Sequence, residues 1–262
     1  MIQTKKATVC ACASRSFIDK EKVTEIAASL ESDGYSVTVL PDLCRKMMQA
    51  SSDLPEIASS VILACHPRAI RSHLNRLDLV ADTILDIRNN SCGDIVSQLK
   101  IQSCNNNEQE CAKETFRKEI EDFPTECGTD AWYPIIDKER CTECGKCMDF
   151  CLFGVYSSEN GHIKVVKPEN CKNNCPACAR ICPQTAIIFP KYQQGGAIGG
   201  SDQIDELAEQ QRQVQDISTI LGSDIYKALE QRKLKRQSII NNEAMKRALV
   251  EREKALSEGK LK

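Results

Sequence analysis

Residues 141–182 read CTECGKCMDFCLFGVYSSENGHIKVVKPENCKNNCPACARIC, and the spacing of their cysteines decides how the rest of the chain is read. Cys141, Cys144, Cys147 and Cys151 form a C-x2-C-x2-C-x3-C run. Cys171, Cys175, Cys178 and Cys182 form a second, C-x3-C-x2-C-x3-C, followed by Pro183. Three thiolates two residues apart on a curled loop reach three corners of a cubane, and the fourth ligand comes from elsewhere; this is the spacing of iron–sulfur ligation. Tetrahedral zinc and a disulfide framework are the alternatives. Zinc sites favour paired C-x2-C knuckles, so runs of four fit iron–sulfur better. The small residues Gly145, Gly154, Ala177 and Ala179 leave backbone N–H groups room to approach the sulfurs and tune reduction potential.

With these runs, residues 132–192 resemble a bacterial-type ferredoxin with two [4Fe-4S] clusters. Two departures stand out: an extra residue between Cys171 and Cys175, and Leu152 where the family usually has proline. The resemblance implies crosswise ligation, in which the fourth cysteine of each run serves the other run's cluster. Cys141, Cys144, Cys147 and Cys182 would hold one cluster, and Cys151, Cys171, Cys175 and Cys178 the other. The strand YPIID should open this module and pair with AIIFP at residues 186–190, and Gly161 should turn a hairpin between the clusters.

Sixteen cysteines in 262 residues, with aromatics at only 5%, indicate metal or redox chemistry in a reducing compartment, with metal sites adding folding energy that a thin core does not supply. The opening MIQTKKATVCACASRSF has no apolar signal core, and no apolar run nears the roughly 18 residues a membrane span needs, so a cytoplasmic protein is expected. A net charge of −2 argues against general nucleic-acid binding.

Upstream, strand patterns at residues 7–12, 35–40, 59–65 and 82–88 alternate with helical ones at 19–32, 68–77 and 92–99. That order predicts a small parallel α/β domain over residues 5–100. Cys10, Cys12, Cys44 and Cys65 fall at or just after strand ends, and Cys92 follows the fourth strand. The carboxyl ends of parallel strands share one edge, so these thiols are expected to converge there. Cys10 and Cys12, at i and i+2, should share a strand face. The segments VCACAS, LPDLCRK, LACHPRAIRSHL and LDIRNNSC resemble the N-terminal domain of the flavin-binding component of heterodisulfide reductases, without that family's large flavin domain and with His66 in place of its usual serine. The resemblance implies thiol chemistry or a third cluster at Cys10, Cys12, Cys44, Cys65 and Cys92; small buried hydrophobes are the other reading.

Residues 101–131 read as a connector with one helix, its stripe Phe116, Ile120 and Phe123, and with Cys104, Cys111 and Cys127 outside any ligand run. Residues 193–202 are glycine-rich and read as a linker. Residues 203–258 read as an amphipathic helical tail, for docking or oligomerisation, whose Arg232, Lys233, Lys235 and Arg236 form a solvated basic face. The fold class is thus α/β plus α+β: a small parallel domain, a two-cluster ferredoxin module and the tail. The module carries slightly more basic than acidic residues, unlike strongly acidic soluble ferredoxins, which suits a dedicated redox protein partner. The expected function is low-potential electron relay, as a carrier or oxidoreductase subunit rather than a stand-alone enzyme. An oxidoreductase component resembling heterodisulfide reductase and an iron–sulfur regulatory sensor are the alternatives.

Overall fold

The computed structural model describes residues 5–101, 106–123, 131–221 and residue 250. Residues Met1–Gln211 form one compact unit and Arg212–Lys262 a second. The first begins with β1 (Lys6–Cys10), α1 (Lys20–Ser32), β2 (Ser36–Leu40), α2 (Leu43–Met48), α3 (Leu54–Ala58), β3 (Val61–Ala64), α4 (Pro67–Arg76), β4 (Ile84–Asp86), α5 (Cys92–Leu99) and α6 (Asn106–Glu121). Asp19 starts α1 by accepting hydrogen bonds from the N–H groups of Glu21 and Lys22 at 2.8 and 3.3 Å. Val23, Ile26, Ala27 and Leu30 bury its apolar face, and Gly34, at φ +84°, turns the chain into β2.

All pairings in the four-stranded sheet are parallel, in the order β2-β1-β3-β4, with Val9 opposite both Val39 and Leu63, and Leu63 opposite Leu85. Connections leave β1 and β3 in opposite directions. The crevice at their carboxyl ends is therefore the topological switch point, where open α/β sheets bind ligands. α6 buries Phe116 and Ile120 in the core that α1 builds on the sheet.

The cysteine-rich half follows: β5 (Ile135–Ile136), α7 (Lys146–Phe150), β6 (Tyr156–Glu159), β7 (His162–Val165), α8 (Ala177–Arg180) and β8 (Ile187–Ile188). β5 pairs antiparallel with β8, Ile135 opposite Ile188, as expected for YPIID and AIIFP. β6 and β7 form the expected hairpin, with Asn160 and Gly161 both at positive φ, 52° and 83°, which suits a tight two-residue turn.

Three expectations change. β1 stops at Cys10, and Cys12 sits off the strand at φ +49°, so the two thiols do not share a strand face. The short helices α2 and α3 were not legible; each is under two turns and too brief for a periodicity. Residues 193–202 are not an open linker but contain α9 (Gly196–Gly199), with Ala197 and Ile198 buried. Gly200 lies so close to α4 that a Cβ there would stand 2.7 Å from the Ala69 Cβ. Composition suggests flexibility, whereas Gly200 serves close packing. The tail begins with α10 (Glu206–Leu221), where Leu207, on the expected apolar face, is exposed. Apart from residue 250, the rest of the expected tail, with its basic cluster, lies outside the described residues, as do Cys104 and Cys127.

Candidate functional site

The loops of the two cysteine runs are shaped alike. Glu143 before Cys144 and Asn174 before Cys175 both adopt left-handed backbone, φ 54° and 58°, so the extra residue of the second run is absorbed ahead of this common bend. Gly145, at φ 75°, starts α7, and the Glu143 carboxylate ties its loop to the hairpin by accepting the Ile163 N–H at 2.6 Å.

Cys141, Cys144, Cys147 and Cys182 line one cavity. Burial first, and then the neighbouring Cys182, Cys141 and Cys144, push the Cys147 thiol up to about 12. In the second group, burial and then Cys175 and Cys151 push the Cys171 thiol up to about 12. Burial also raises Cys178 well above its usual range, partly offset by the Tyr156 hydroxyl, which donates to its Sγ at 3.1 Å. The fourth cysteine of each run thus faces the other run. The Ala186 N–H points at the Cys182 Sγ, 3.3 Å away, the kind of amide contact that favours a thiolate. Among the described residues, no three His, Cys, Asp or Glu side chains stand close enough to share one metal ion. Donor type, grouping and amide contacts fit [4Fe-4S] clusters.

Of the five N-terminal cysteines, Cys10, Cys12, Cys44 and Cys65 are buried at or near the switch point. Burial comes first in raising each of them, to about 12 for Cys10, whose next cause is Cys12; Cys12 and Cys10 likewise raise Cys65, and Cys65 and Cys10 raise Cys44. Cys92 stands apart at the start of α5, half-buried, with Glu25 and Ser29 of α1 as neighbours. His66 precedes α4 but does not cap it with its side chain; its Nδ1 lies 3.3 Å from the Asp86 carboxylate.

Two buried charges that sequence reasoning missed join the two halves. Lys191, 1% exposed, reaches from the ferredoxin-like half into the thiol pocket and donates to Asp42 Oδ2 and Ser14 Oγ, each at 2.6 Å, with Cys12 Sγ 3.7 Å away. Burial alone would lower its pKa, but Cys44, Cys12 and Asp42 outweigh that and raise it, so it stays an ammonium. In the opposite direction, Arg68 of α4 donates from Nε to Asp137 Oδ2 at 2.6 Å and from Nη2 to the Thr185 carbonyl at 2.6 Å. Between these pins, the Tyr133 hydroxyl donates to the Cys44 carbonyl at 3.0 Å, and Cys171 packs against the apolar group that includes Cys44. The second cysteine loop therefore borders the thiol pocket.

Among the described residues no helix is long and apolar enough to cross a membrane. Residues 133–183 match the 4Fe-4S dicluster domain family. The chain is 51% identical over 61 residues to an uncharacterized ferredoxin of Methanocaldococcus jannaschii, covering 23% of this chain and 42% of that protein. It is 37% identical over 62 residues to the pyruvate synthase subunit PorD of Thermotoga maritima, covering 22% and 62%. To Ferredoxin-3 of Nostoc sp. it is 34% identical over 79 residues, covering 22% and 80%. The chain thus spans less than half of the first of these relatives. No solved structure matches it. The cysteine runs, their grouping and these relatives converge: the chain belongs to the bacterial-type ferredoxins, with a 4Fe-4S dicluster domain over residues 133–183.

Proposed function

We propose that this protein relays low-potential electrons to a dedicated redox partner as a subunit or adaptor. Two [4Fe-4S] clusters would be held crosswise, one by Cys141, Cys144, Cys147 and Cys182, the other by Cys151, Cys171, Cys175 and Cys178. The observation that carries this reading is the exchange of fourth cysteines, with Cys182 among the first run's thiols and Cys151 among the second's. When bound, each cluster supplies one-electron exchange at a potential set by hydrogen bonding, charge and exposure. The chain's own residues supply the rest. Amide and hydroxyl donors face the sulfurs, Trp132 stacked on Phe189 at 5.0 Å backs the module, and the exposed Leu152 and Phe153 beside Cys151 offer apolar contact to a partner. The resemblance to PorD, named as a subunit of pyruvate synthase, supports a catalytic multi-subunit oxidoreductase as that partner. The test is iron and acid-labile sulfide on anaerobically purified protein, with EPR after dithionite. About eight irons per chain are expected, falling to about four in Cys182→Ser with the signal of the Cys141 cluster lost. Zinc in place of iron sinks the reading, and loss of the second-run signal instead sinks the crosswise assignment.

One observation favours a second reading, thiol or third-cluster chemistry in a component resembling heterodisulfide reductase: Cys10, Cys12, Cys44 and Cys65 gather around Lys191 beside the second cluster loop. About twelve irons, falling to eight in Cys10→Ser with Cys65→Ser, would establish it; eight in both proteins leaves those thiols structural. Cys92 has no part in it, because it lies with α1 and not with the other four.

A further inference from the structure

The N-terminal domain touches one ferredoxin loop in a way that reaches a ligand sulfur. Three residues beyond Cys182, Thr185 holds φ at +51°, a left-handed conformation that a β-branched residue rarely adopts. Its N–H donates to the Cys182 carbonyl at 3.1 Å, and the tight turn that results aims the next amide, Ala186 N–H, at the Cys182 Sγ. Such a conformation persists only where its surroundings over-determine it. Here they do. The Thr185 carbonyl accepts Arg68 Nη2 at 2.6 Å, and Arg68 Nη1 is anchored on the Ala197 carbonyl at 3.0 Å. Arg68 Nε holds the Asp137 carboxylate, while the Asp137 backbone donates to the Ala186 carbonyl at 2.8 Å and accepts the Cys141 N–H at 2.9 Å. One buried guanidinium, from a helix outside the ferredoxin fold, therefore braces the segments that carry the first and last thiols of a single group.

The other loop has no need of such a brace. Three residues beyond Cys151 stands Gly154, at φ +66° and exposed, and glycine takes that conformation without strain.

We propose that Arg68 is a positioning residue that raises the reduction potential of the cluster ligated by Cys141, Cys144, Cys147 and Cys182, by holding Thr185 so that the Ala186 N–H stays on the Cys182 sulfur. This rests on the reading that those cysteines hold a cluster. An N–H dipole aimed at a ligand sulfur stabilises the more negative, reduced state, and losing it makes reduction harder. Without the guanidinium, Thr185 relaxes toward negative φ and the amide turns away.

The test is an EPR-monitored redox titration of the anaerobic full chain: wild type, Arg68→Met, Arg68→Lys, Thr185→Gly and the double variant Arg68→Met with Thr185→Gly. The expected result is that one midpoint falls in Arg68→Met by about tenfold in its reduction equilibrium, which is about 59 mV for a one-electron couple. The signal that moves is the one lost in Cys182→Ser, and the other midpoint stays. Arg68→Lys, which keeps the charge but not the three-acceptor fork, falls similarly. In the Thr185→Gly background, where glycine holds the turn unaided, loss of Arg68 moves the midpoint by less than about threefold, roughly 30 mV. Equal movement of both midpoints, no movement of either, or full restoration by lysine overturns the proposal. If Arg68→Met does not assemble its clusters, the lysine and glycine variants decide the question. A wild-type protein without iron would instead overturn the electron-carrier reading itself.

Discussion

The cysteines of residues 141–182 and the four that close the N-terminal sheet are alike in number per group and unlike in setting. The first lie on loops bent by left-handed Glu143, Gly145 and Asn174, several of them half-buried or exposed, with N–H and O–H donors directed at their sulfurs. The second are sealed at the switch point around an ammonium and a carboxylate that neutralise each other. Nearness of thiols is common to both groups. What differs is enclosure: burial raises thiols in both groups, but several of the ferredoxin thiols are half-buried or exposed, whereas all four of the sheet pocket are buried, with the Leu43 N–H 3.4 Å from Cys10 Sγ and Lys191 beside Cys12.

That contrast breaks first in a labelling experiment. With its pKa near 12 instead of 9.0, Cys10 carries about a thousandfold less thiolate at neutral pH than an ordinary cysteine. In the folded holoprotein, iodoacetamide followed by mass spectrometry should modify the exposed Cys111 within minutes and leave Cys10 and Cys65 untouched until denaturant is added. Rapid labelling of Cys10 would make the pocket open and reactive. A smaller effect tests the charges within it. Lys191→Met strands the Asp42 carboxylate in the interior and should cost about 3–5 kcal/mol in denaturant unfolding. Adding Asp42→Asn, which keeps an acceptor for the Cys44 N–H that Asp42 caps at 3.1 Å, should recover most of it. No recovery would mean that the ion pair is not what holds the pocket.

The third test is one of pH. His73 of α4 is fully buried 3.2 Å from the Tyr133 hydroxyl, with its Nε2 unpartnered, and burial and then Arg76 push its pKa down to about 3. The unfolded chain takes up a proton at His73 near pH 6.5 while the folded chain does not. Stability is therefore fully present above that pH and falls by about 1.4 kcal/mol per unit below it, until about pH 3. His73→Gln should flatten the stability–pH curve between pH 6 and 4. An unchanged slope would show that His73 does not govern it.

The two cysteine runs and most of the sheet were legible in the chain, because cysteine spacing and strand alternation are local patterns. Lys191 and Arg68 were not. A single basic residue among polar neighbours looks like a solvated charge, and the partners that reveal its role lie 149 residues away for Asp42 and 117 for the Thr185 carbonyl. The stretch at residues 193–202 misled for a related reason: glycine marks flexibility and close packing with the same letter, and only the Ala69 contact of Gly200 tells them apart. The convergence of Cys10, Cys12, Cys44 and Cys65 was anticipated from strand ends. The separation of Cys92 was not, since it depends on how α5 leans on α1.

The Lys191–Asp42 pair also sets a clock for synthesis. Asp42 leaves the ribosome 149 residues ahead of its counter-ion, and at about 5–20 residues per second that gap lasts roughly 7–30 seconds. For that interval the nascent N-terminal sheet can form its strands yet cannot close its pocket without burying a lone carboxylate. The sheet half, translated before the ferredoxin half, therefore waits on it for the Lys191 ammonium that completes its pocket.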